Sequence, residues 1–208
     1  RTGSAFALFG IASVGLAALA FVTSLWNRRD PDANSLRIQG YVQRMFHAFV
    51  SYMRILGILT VDLHKPELLR NTAGRIIVAN HPTLLDVVLL VAHLPQADCV
   101  VKREAWSNPY LRGPVQAAGY IPNGEGRELV DACVRRLAQG RCILLFPEGT
   151  RSPRDGLGRF RRGVAHIALE AGCDILPVRI RCEPPTLMRG QKWYEVPDRA
   201  MTYTLEPG

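Results

Sequence analysis

No C-x-x-C pair occurs in the 208-residue sequence, and its five cysteines (Cys99, Cys133, Cys142, Cys173, Cys182) are odd in number. Neither a zinc site nor a closed disulfide framework is indicated. Most of the cysteines sit in apolar stretches, as Cys142 does before Ile-Leu-Leu-Phe. That placement reads as buried, reduced thiol in a cytosolic catalytic domain. Internal repeats and low-complexity tracts are absent too. With 48% hydrophobic and 21% charged residues the composition is near the globular average, so disordered, collagenous and coiled-coil readings fall away. At roughly 100–200 residues per domain, the length admits one catalytic-sized domain.

The most informative absence is of charge. From Gly3 to Trp26, 24 consecutive positions carry no charged side chain. At about 1.5 Å per helical residue this run spans about 36 Å, against roughly 30 Å of bilayer hydrocarbon, which argues against a wholly soluble protein. Trp26 suits the membrane interface, and Arg28 with Arg29 suits a cytoplasmic flank. A cleaved signal peptide is the competing reading, because Ala18-Leu19-Ala20 resembles a cleavage site. The apolar run continues past Ala20, however, and a signal h-region is only about 7–15 residues long. Residues 1–30 are therefore expected to be a retained membrane anchor, with the catalytic part on the cytoplasmic side of the inner membrane.

Residues 41–61 form a second apolar segment with a polar stripe at Arg44, His47, Ser51 and Arg54. Those spacings follow one helical face, while Val42, Met45, Phe46, Phe49, Val50 and Met53 cover much of the rest. Such a helix can pack on a protein core or lie on a membrane with Arg44 and Arg54 near headgroups. Its place directly after an anchor favours a membrane-surface helix for residues 31–65.

From residue 66 to 208 short apolar runs alternate with helix-like segments. Strands are expected at Arg75–Ala79, Cys99–Val101, Cys142–Phe146, Ile175–Ile180 and Met201–Leu205. Helices are expected from Pro82 to His93, from Glu125 to Gln139 with Gly140 as C-cap, and from Gly163 to Ala171 before Gly172. This alternation predicts an α/β domain with a substantially parallel sheet flanked by helices.

Two loops that follow strands carry the candidate chemistry, since open α/β sheets present ligand-facing loops there. The first is Asn80-His-Pro-Thr-Leu-Leu-Asp86. An Asp that accepts from one imidazole nitrogen fixes the tautomer and supports the imidazolium that forms on proton uptake. The other nitrogen can then deprotonate an alcohol. A capping His with an exposed Asp is the plainer reading of the hexapeptide, and His93…Asp98 repeats the spacing in what reads as incidental surface. The second loop is Phe146-Pro-Glu-Gly-Thr-Arg-Ser152, with a carboxylate, two hydroxyls and a guanidinium at the end of a buried strand. Gly149 permits unusual dihedrals or close approach of a ligand, and Arg151 can grip a phosphate. A polar turn with an internal Glu–Arg pair is the alternative.

Taken together, the two loops resemble those of the glycerolipid acyltransferase family, typified by 1-acylglycerol-3-phosphate (lysophosphatidate) acyltransferases. In order and spacing the resemblance runs from about Ile76 to Val178, including Val101-Lys-Arg-Glu104, Phe160-Arg-Arg-Gly163 and Ile175-Leu-Pro-Val178. It implies a fold of mixed, largely parallel sheet flanked by helices, and an O-acyltransferase of phospholipid biosynthesis. The implied reaction moves a fatty acyl group from an acyl thioester, acyl-CoA or acyl carrier protein, to a hydroxyl of a lysophospholipid-type acceptor such as 1-acylglycerol-3-phosphate. His81 would be the general base and Asp86 its orienting partner. Glu148, Gly149, Thr150 and Arg151, with Lys102, would bind substrate. No metal and no cofactor are implied beyond the acyl donor, and membrane lipids are the expected partners.

One block departs from the family pattern. Where many members carry Asp-Arg after Gly and apolar residues, this chain has Gly119-Tyr-Ile-Pro-Asn-Gly-Glu-Gly-Arg127, with its Arg late. A different hydroxylated acceptor from a specialised lipid pathway is therefore a second reading. Residues 151–162 hold five arginines and one Asp, and the chain's net charge is +8. With no nucleic-acid-binding module and one aromatic in that stretch, anionic headgroups, coenzyme A phosphates or an acidic carrier protein explain the charge more economically than nucleic acid. His166 reads as a packed helical residue, and His64 has no companion. The rivals from other classes are a catalytically silent membrane-tethered binding protein of the same fold and a metal-dependent hydrolase using His81, Asp86 and Glu148. The sequence itself sets no oligomeric state.

Overall fold

The computed structural model describes residues 3–4, 7–15, 30–107, 112–124, 126–192, 194–195 and 197–208. The first helix, α1, covers residues 7–15. Helix α2 (Pro31–Ile55) opens with proline in its first turn, and the Asp30 carboxylate accepts from Ala33 N at 2.9 Å as its N-cap. Then come β1 (Leu59–Leu63), α3 (Pro66–Arg70), β2 (Ile76–Ala79), α4 (Asp86–His93), β3 (Asp98–Lys102) and α5 (Arg103–Ser107). The chain continues through α6 (Arg112–Ala117), β4 (Ile121–Asn123), α7 (Arg127–Ala138), β5 (Ile143–Leu145), α8 (Gly163–Ala171), β6 (Ile175–Glu183) and β7 (Met201–Pro207).

The seven strands form one sheet in the order β1-β7-β6-β2-β5-β3-β4. Every neighbouring pair is parallel except β6 with β7. In β2 the two-residue side-chain period splits the core. Ile77 and Ala79 pack toward α2 and α4, whereas Ile76 packs with Cys133 and Leu137 of α7 and Ile167 of α8. A parallel strand covered on both faces needs apolar residues at every position, and Ile76-Ile-Val-Ala79 and Ile143-Leu-Leu145 supply them. The expected mixed, largely parallel α/β sheet is what forms.

The early part of the chain is more deeply built into this core than its sequence indicates. Strand β1 lies before the boundary expected at residue 66, and it pairs with β7 from Leu59↔Met201 to Leu63↔Leu205. Of the two roles open to the helix after the anchor, core packing is the one seen. Ile38, Val42, Phe49, Val50 and Met53 are buried, while Arg44, His47 and Arg54 stay exposed. Of the charge-free run, residues 3–4 and 7–15 are helical, and the rest, with Trp26, Arg28 and Arg29, lies outside the described residues. Helix α1 lies on α2 through Phe9, whose ring centroid is 4.8 Å from that of Phe49 and 6.0 Å from that of Phe46. Its other face exposes Leu8, Ile11 and Val14. Among the described residues no helix is long and apolar enough to cross a membrane.

Asp98, expected at an incidental surface, is fully buried. Arg141 Nη2 donates to its Oδ1 at 2.8 Å, and Arg141 Nε lies 2.6 Å from Oδ2. Gln39 of α2 donates to the same carboxylate at 2.8 Å and to the Ala118 carbonyl at 2.7 Å. Ser35 accepts from Arg141 Nη1 at 3.1 Å. Through Gln39 and Ser35 this buried ion pair ties α2 to the start of β3 and to the segment leading into β5. Breaking such a pair from one side strands a charge in the interior. Asp98→Ala is expected to cost about 3–5 kcal/mol, read as a fall in the urea midpoint.

Candidate active site

The site sits at the carboxyl ends of β2 and β5, adjacent strands whose following loops face each other. After Ala79 the chain leaves the ladder, but Asn80 continues it with its side chain. Its Nδ2 donates to the Ile180 carbonyl at 2.9 Å, and its Oδ1 accepts from Ile180 N at 2.7 Å. The Asn80 amide mimics a further strand residue while the backbone turns away, so the next residue, His81, is carried out over the sheet end.

His81 Nδ1 lies 2.8 Å from Asp86 Oδ2. The helix expected from Pro82 begins at Asp86 instead. The reason lies in Thr83, whose N donates to Asp86 Oδ2 at 2.7 Å and whose hydroxyl donates to Oδ1 at 2.6 Å. These bonds close a turn in place of the first helical turn and leave the carboxylate facing back toward His81. Asp86 is fully buried. Burial pushes its carboxyl upward, while the bonds from His81 and Thr83 favour the anion. Tyr203 of β7, also fully buried, donates to Thr83 Oγ1 at 3.1 Å. The imidazole stacks on Phe146 at a centroid distance of 4.3 Å, so its plane is held from the second loop. With Nδ1 on a carboxylate, Nε2 is the nitrogen left to exchange a proton.

That second loop is joined to the first at the His81 backbone. His81 N donates to Glu148 Oε1 and to Ser152 Oγ, each at 3.2 Å, and the His81 carbonyl accepts from Ser152 N at 2.7 Å. Glu148, expected among the substrate contacts, is buried and fully engaged. Its Oε1 also accepts from Ser152 Oγ at 2.6 Å, and its Oε2 accepts from Gly158 N at 2.6 Å. A Cβ at Gly158 would lie 2.6 Å from that oxygen, so glycine is what lets the backbone come so close. Gly149 has φ +68° and is likewise crowded: a Cβ there would meet Arg161 Nε at 2.9 Å.

Arg151, expected to grip an anion, spends Nη1 on the Leu187 and Met188 carbonyls at 3.0 and 2.9 Å. Nη2 and Nε remain for a ligand. Lys102, Gly149, Thr150, Arg151 and His81 all line one cavity of about 620 Å³. Its apolar wall comes from Val87, Leu129, Val130, Leu145, Val164 and Ile167. Cys99 also lines it, but burial pushes that thiol up to about 12, which removes it as a thiolate nucleophile at neutral pH. Arg127 is held at 2.8 Å by Asp131 and at 2.6 Å by Glu170, so it does not replace the arginine missing from the 119–127 block. His166, expected to be packed, is exposed on α8.

Sequence reasoning did not identify Asn80, Thr83, Ser152 or Tyr203 as parts of this site. The first three flank the singled-out residues, and a hydroxyl three residues before an Asp was a readable turn signal. Tyr203 left no signal, because its partner is 120 positions away.

Comparison with known proteins gives this geometry a context. Residues 60–181 match the family described as Acyltransferase. A 1-acyl-sn-glycerol-3-phosphate acyltransferase of Helicobacter pylori is 31% identical over 175 residues, covering 81% of this chain and 68% of the relative. A lyso-ornithine lipid O-acyltransferase of Pseudomonas aeruginosa is 28% identical, covering 83% of this chain and 65% of the relative. The chloroplastic 1-acyl-sn-glycerol-3-phosphate acyltransferase LPAT1 of Arabidopsis thaliana is 25% identical, covering 66% of this chain, which spans 42% of that protein's length. The crystal structure of the 1-acyl-sn-glycerophosphate (LPA) acyltransferase PlsC from Thermotoga maritima superposes with a TM-score of 0.69 at 21% identity, over 100% of this chain and 87% of that one.

The bracket formed by Glu148 makes a measurable demand on stability. Glu148→Ala leaves His81 N and Gly158 N without their carboxylate acceptor in a buried place. A loss of about 3 kcal/mol is expected in urea unfolding at unchanged m, and an unaltered midpoint would refute the bracketing role.

Proposed function

The chain belongs to the glycerolipid acyltransferase family, and on that premise we propose that it is an O-acyltransferase moving a fatty acyl group from a thioester to the hydroxyl of a lysophospholipid-type acceptor, 1-acylglycerol-3-phosphate in the first instance. The observation that carries this reading is the His81–Asp86 contact of 2.8 Å at the wall of a cavity that is apolar on one side and arginine-lined on the other. Such a cavity suits an amphiphile, with the acyl chain along Val87, Val130 and Ile167 and the anionic group toward Arg151.

His81 Nε2 takes the acceptor's hydroxyl proton as the hydroxyl oxygen attacks the thioester carbonyl carbon. Asp86 holds the imidazole by Nδ1 and stabilises the imidazolium that results. The tetrahedral adduct then collapses, the carbon–sulfur bond breaks, and the imidazolium returns its proton to the leaving sulfur. An ester and a free thiol are the products, and no acyl-enzyme is needed. Acyl-CoA and acyl carrier protein are both donors of the required chemistry. The apolar outer face of α1 (Leu8, Ile11, Val14) and the charge-free run around it support membrane association, and Arg28 with Arg29 after that run favours a site on the cytoplasmic side.

A second reading keeps the reaction and changes the acceptor. It is favoured by the missing arginine of the 119–127 block and by Arg127 being tied to Glu170 at 2.6 Å. The lyso-ornithine lipid O-acyltransferase among the relatives marks one such alternative acceptor class.

With an acyl thioester and a panel of lyso-lipids, the protein is expected to release free thiol, detected with a thiol-reactive dye. General-base help contributes roughly 10²–10⁴-fold, so His81→Ala should lower the rate by at least that lower figure. Asp86→Asn should lower it while leaving acceptor KM within about threefold, because the substitution disturbs the imidazole and not the binding wall. Full turnover in His81→Ala would overturn the mechanism, and turnover lost on chelation would favour the metal-hydrolase reading.

A further inference from the structure

Strand β7 turns Met201, Tyr203 and Leu205 inward, and all three are buried in the core shared with α2 and α4. Of the three, Tyr203 alone carries a hydroxyl, and a hydroxyl taken from water is costly unless it is hydrogen-bonded. Its partner is Thr83, 3.1 Å away in the turn that follows β2. β6 separates β7 from β2 in the sheet, so the phenol reaches past one strand to the loop that carries His81. Cys182, opposite Tyr203 in β6, places its thiol beside the same hydroxyl. Sulfur is a weak acceptor, and the phenol proton goes to Thr83. Burial pushes the phenol well above its ordinary value, so that proton is there to give at any working pH.

A threonine hydroxyl has two lone pairs and one proton. At Thr83 Oγ1 the lone pairs receive the Tyr203 hydroxyl at 3.1 Å and Leu85 N at 3.2 Å, which leaves the proton for Asp86 Oδ1 at 2.6 Å. Among the described residues that proton is the one donor to Oδ1. The other oxygen, Oδ2, takes Thr83 N at 2.7 Å and faces His81 Nδ1 at 2.8 Å. Thr83, Asp86 and Tyr203 are all fully buried, so bulk solvent does not weaken these bonds. Hydrogen bonds in series polarise one another in a low dielectric. Accepting from the phenol therefore strengthens the Thr83 hydroxyl as a donor to Oδ1. A firmer bond at Oδ1 fixes the rotation of the carboxylate, and that rotation sets where Oδ2 meets the imidazole. β7 lies beyond the residues 60–181 that match the family, so this contact joins the matched segment to a strand outside it.

We propose that Tyr203 is a positioning residue for the reaction, acting through the Thr83 hydroxyl to hold the Asp86 carboxylate in register with His81. Tyr203 is not among the residues that wall the catalytic cavity, so its influence reaches the reacting atoms by way of Thr83 and Asp86. This deepens the acyltransferase reading above and rests on it for the reaction affected. A merely structural Tyr203 would contribute through its ring, which phenylalanine supplies equally well. The relay depends on the hydroxyl.

The test is a double-mutant cycle on the full chain. Tyr203→Phe keeps the ring and removes the donor, and it is expected to lower kcat for acyl transfer about fivefold with acceptor KM within about twofold of the parent. In a Thr83→Val protein the same substitution should change kcat less than about twofold, because the link to Asp86 is already cut. In Thr83→Ser, which keeps the hydroxyl, its full effect should return. The His81 imidazole nitrogens report the same coupling without turnover. Their NMR shifts, assigned by their loss in His81→Ala, should move in Tyr203→Phe and stay in place when Thr83→Val is already present. In an active enzyme, an unchanged kcat in Tyr203→Phe overturns the proposal. Equal losses in the parent and Thr83→Val backgrounds also overturn it, since they mark a packing defect, and so does a loss carried by KM. A parent protein that transfers no acyl group yet shows the Thr83-dependent nitrogen shift would sink the acyltransfer reading and leave the relay standing; without that shift both fall.

Discussion

A single buried carboxylate holds the two halves of the candidate site in register. Glu148 receives His81 N, Ser152 Oγ and Gly158 N at 3.2, 2.6 and 2.6 Å, and through them the loop after β2, the loop after β5 and the arginine-rich stretch meet at one point. Taking an ionised carboxylate out of water is unfavourable unless donors replace its hydration. The loop geometry is thus over-determined, because moving any one of the three segments would leave the anion short of a donor. Three features share that rigid frame: the Phe146 ring stacks on the imidazole at a 29° inclination, Gly149 admits the Arg161 guanidinium, and Asp86 meets Nδ1 directly.

The sheet order explains why these loops are neighbours at all. β2 lies between β6 and β5, all three parallel, so the loops leaving β2 and β5 emerge on the same edge and side by side. The Arg141–Asp98 pair secures α2 against the opposite, amino ends of β3 and β5.

Much of this was legible from local pattern. β2 and β5 read as buried strands because their residues are apolar without alternation, and α7 and α8 end where Gly140 and Gly172 stand. His81 and Asp86 were singled out by a short motif and do meet. What escaped was non-local. The resemblance implied ligand contacts for Glu148 and Arg151, and it could not show that they also bind backbone, the His81 amide for one and the 187–188 carbonyls for the other. Asp98 read as surface because its Arg141 partner lies 43 residues away. β1 and the packing of α2 were hidden for the same reason: an amphipathic helix has the same pattern whether its apolar face meets lipid or a sheet.

The position of β7 carries a consequence for how the chain acquires its shape. β7 lies between β1 and β6, and among the described residues it is the sole strand beside β1. During synthesis, everything from α1 to β6 is made while that slot is vacant. β1 and the exposed edge of β6 then wait as unpaired strands, with Thr83 lacking its Tyr203 partner. Residues 201–207 therefore act as a keystone laid after both of its neighbours, and until they emerge those two strands are open to mispairing.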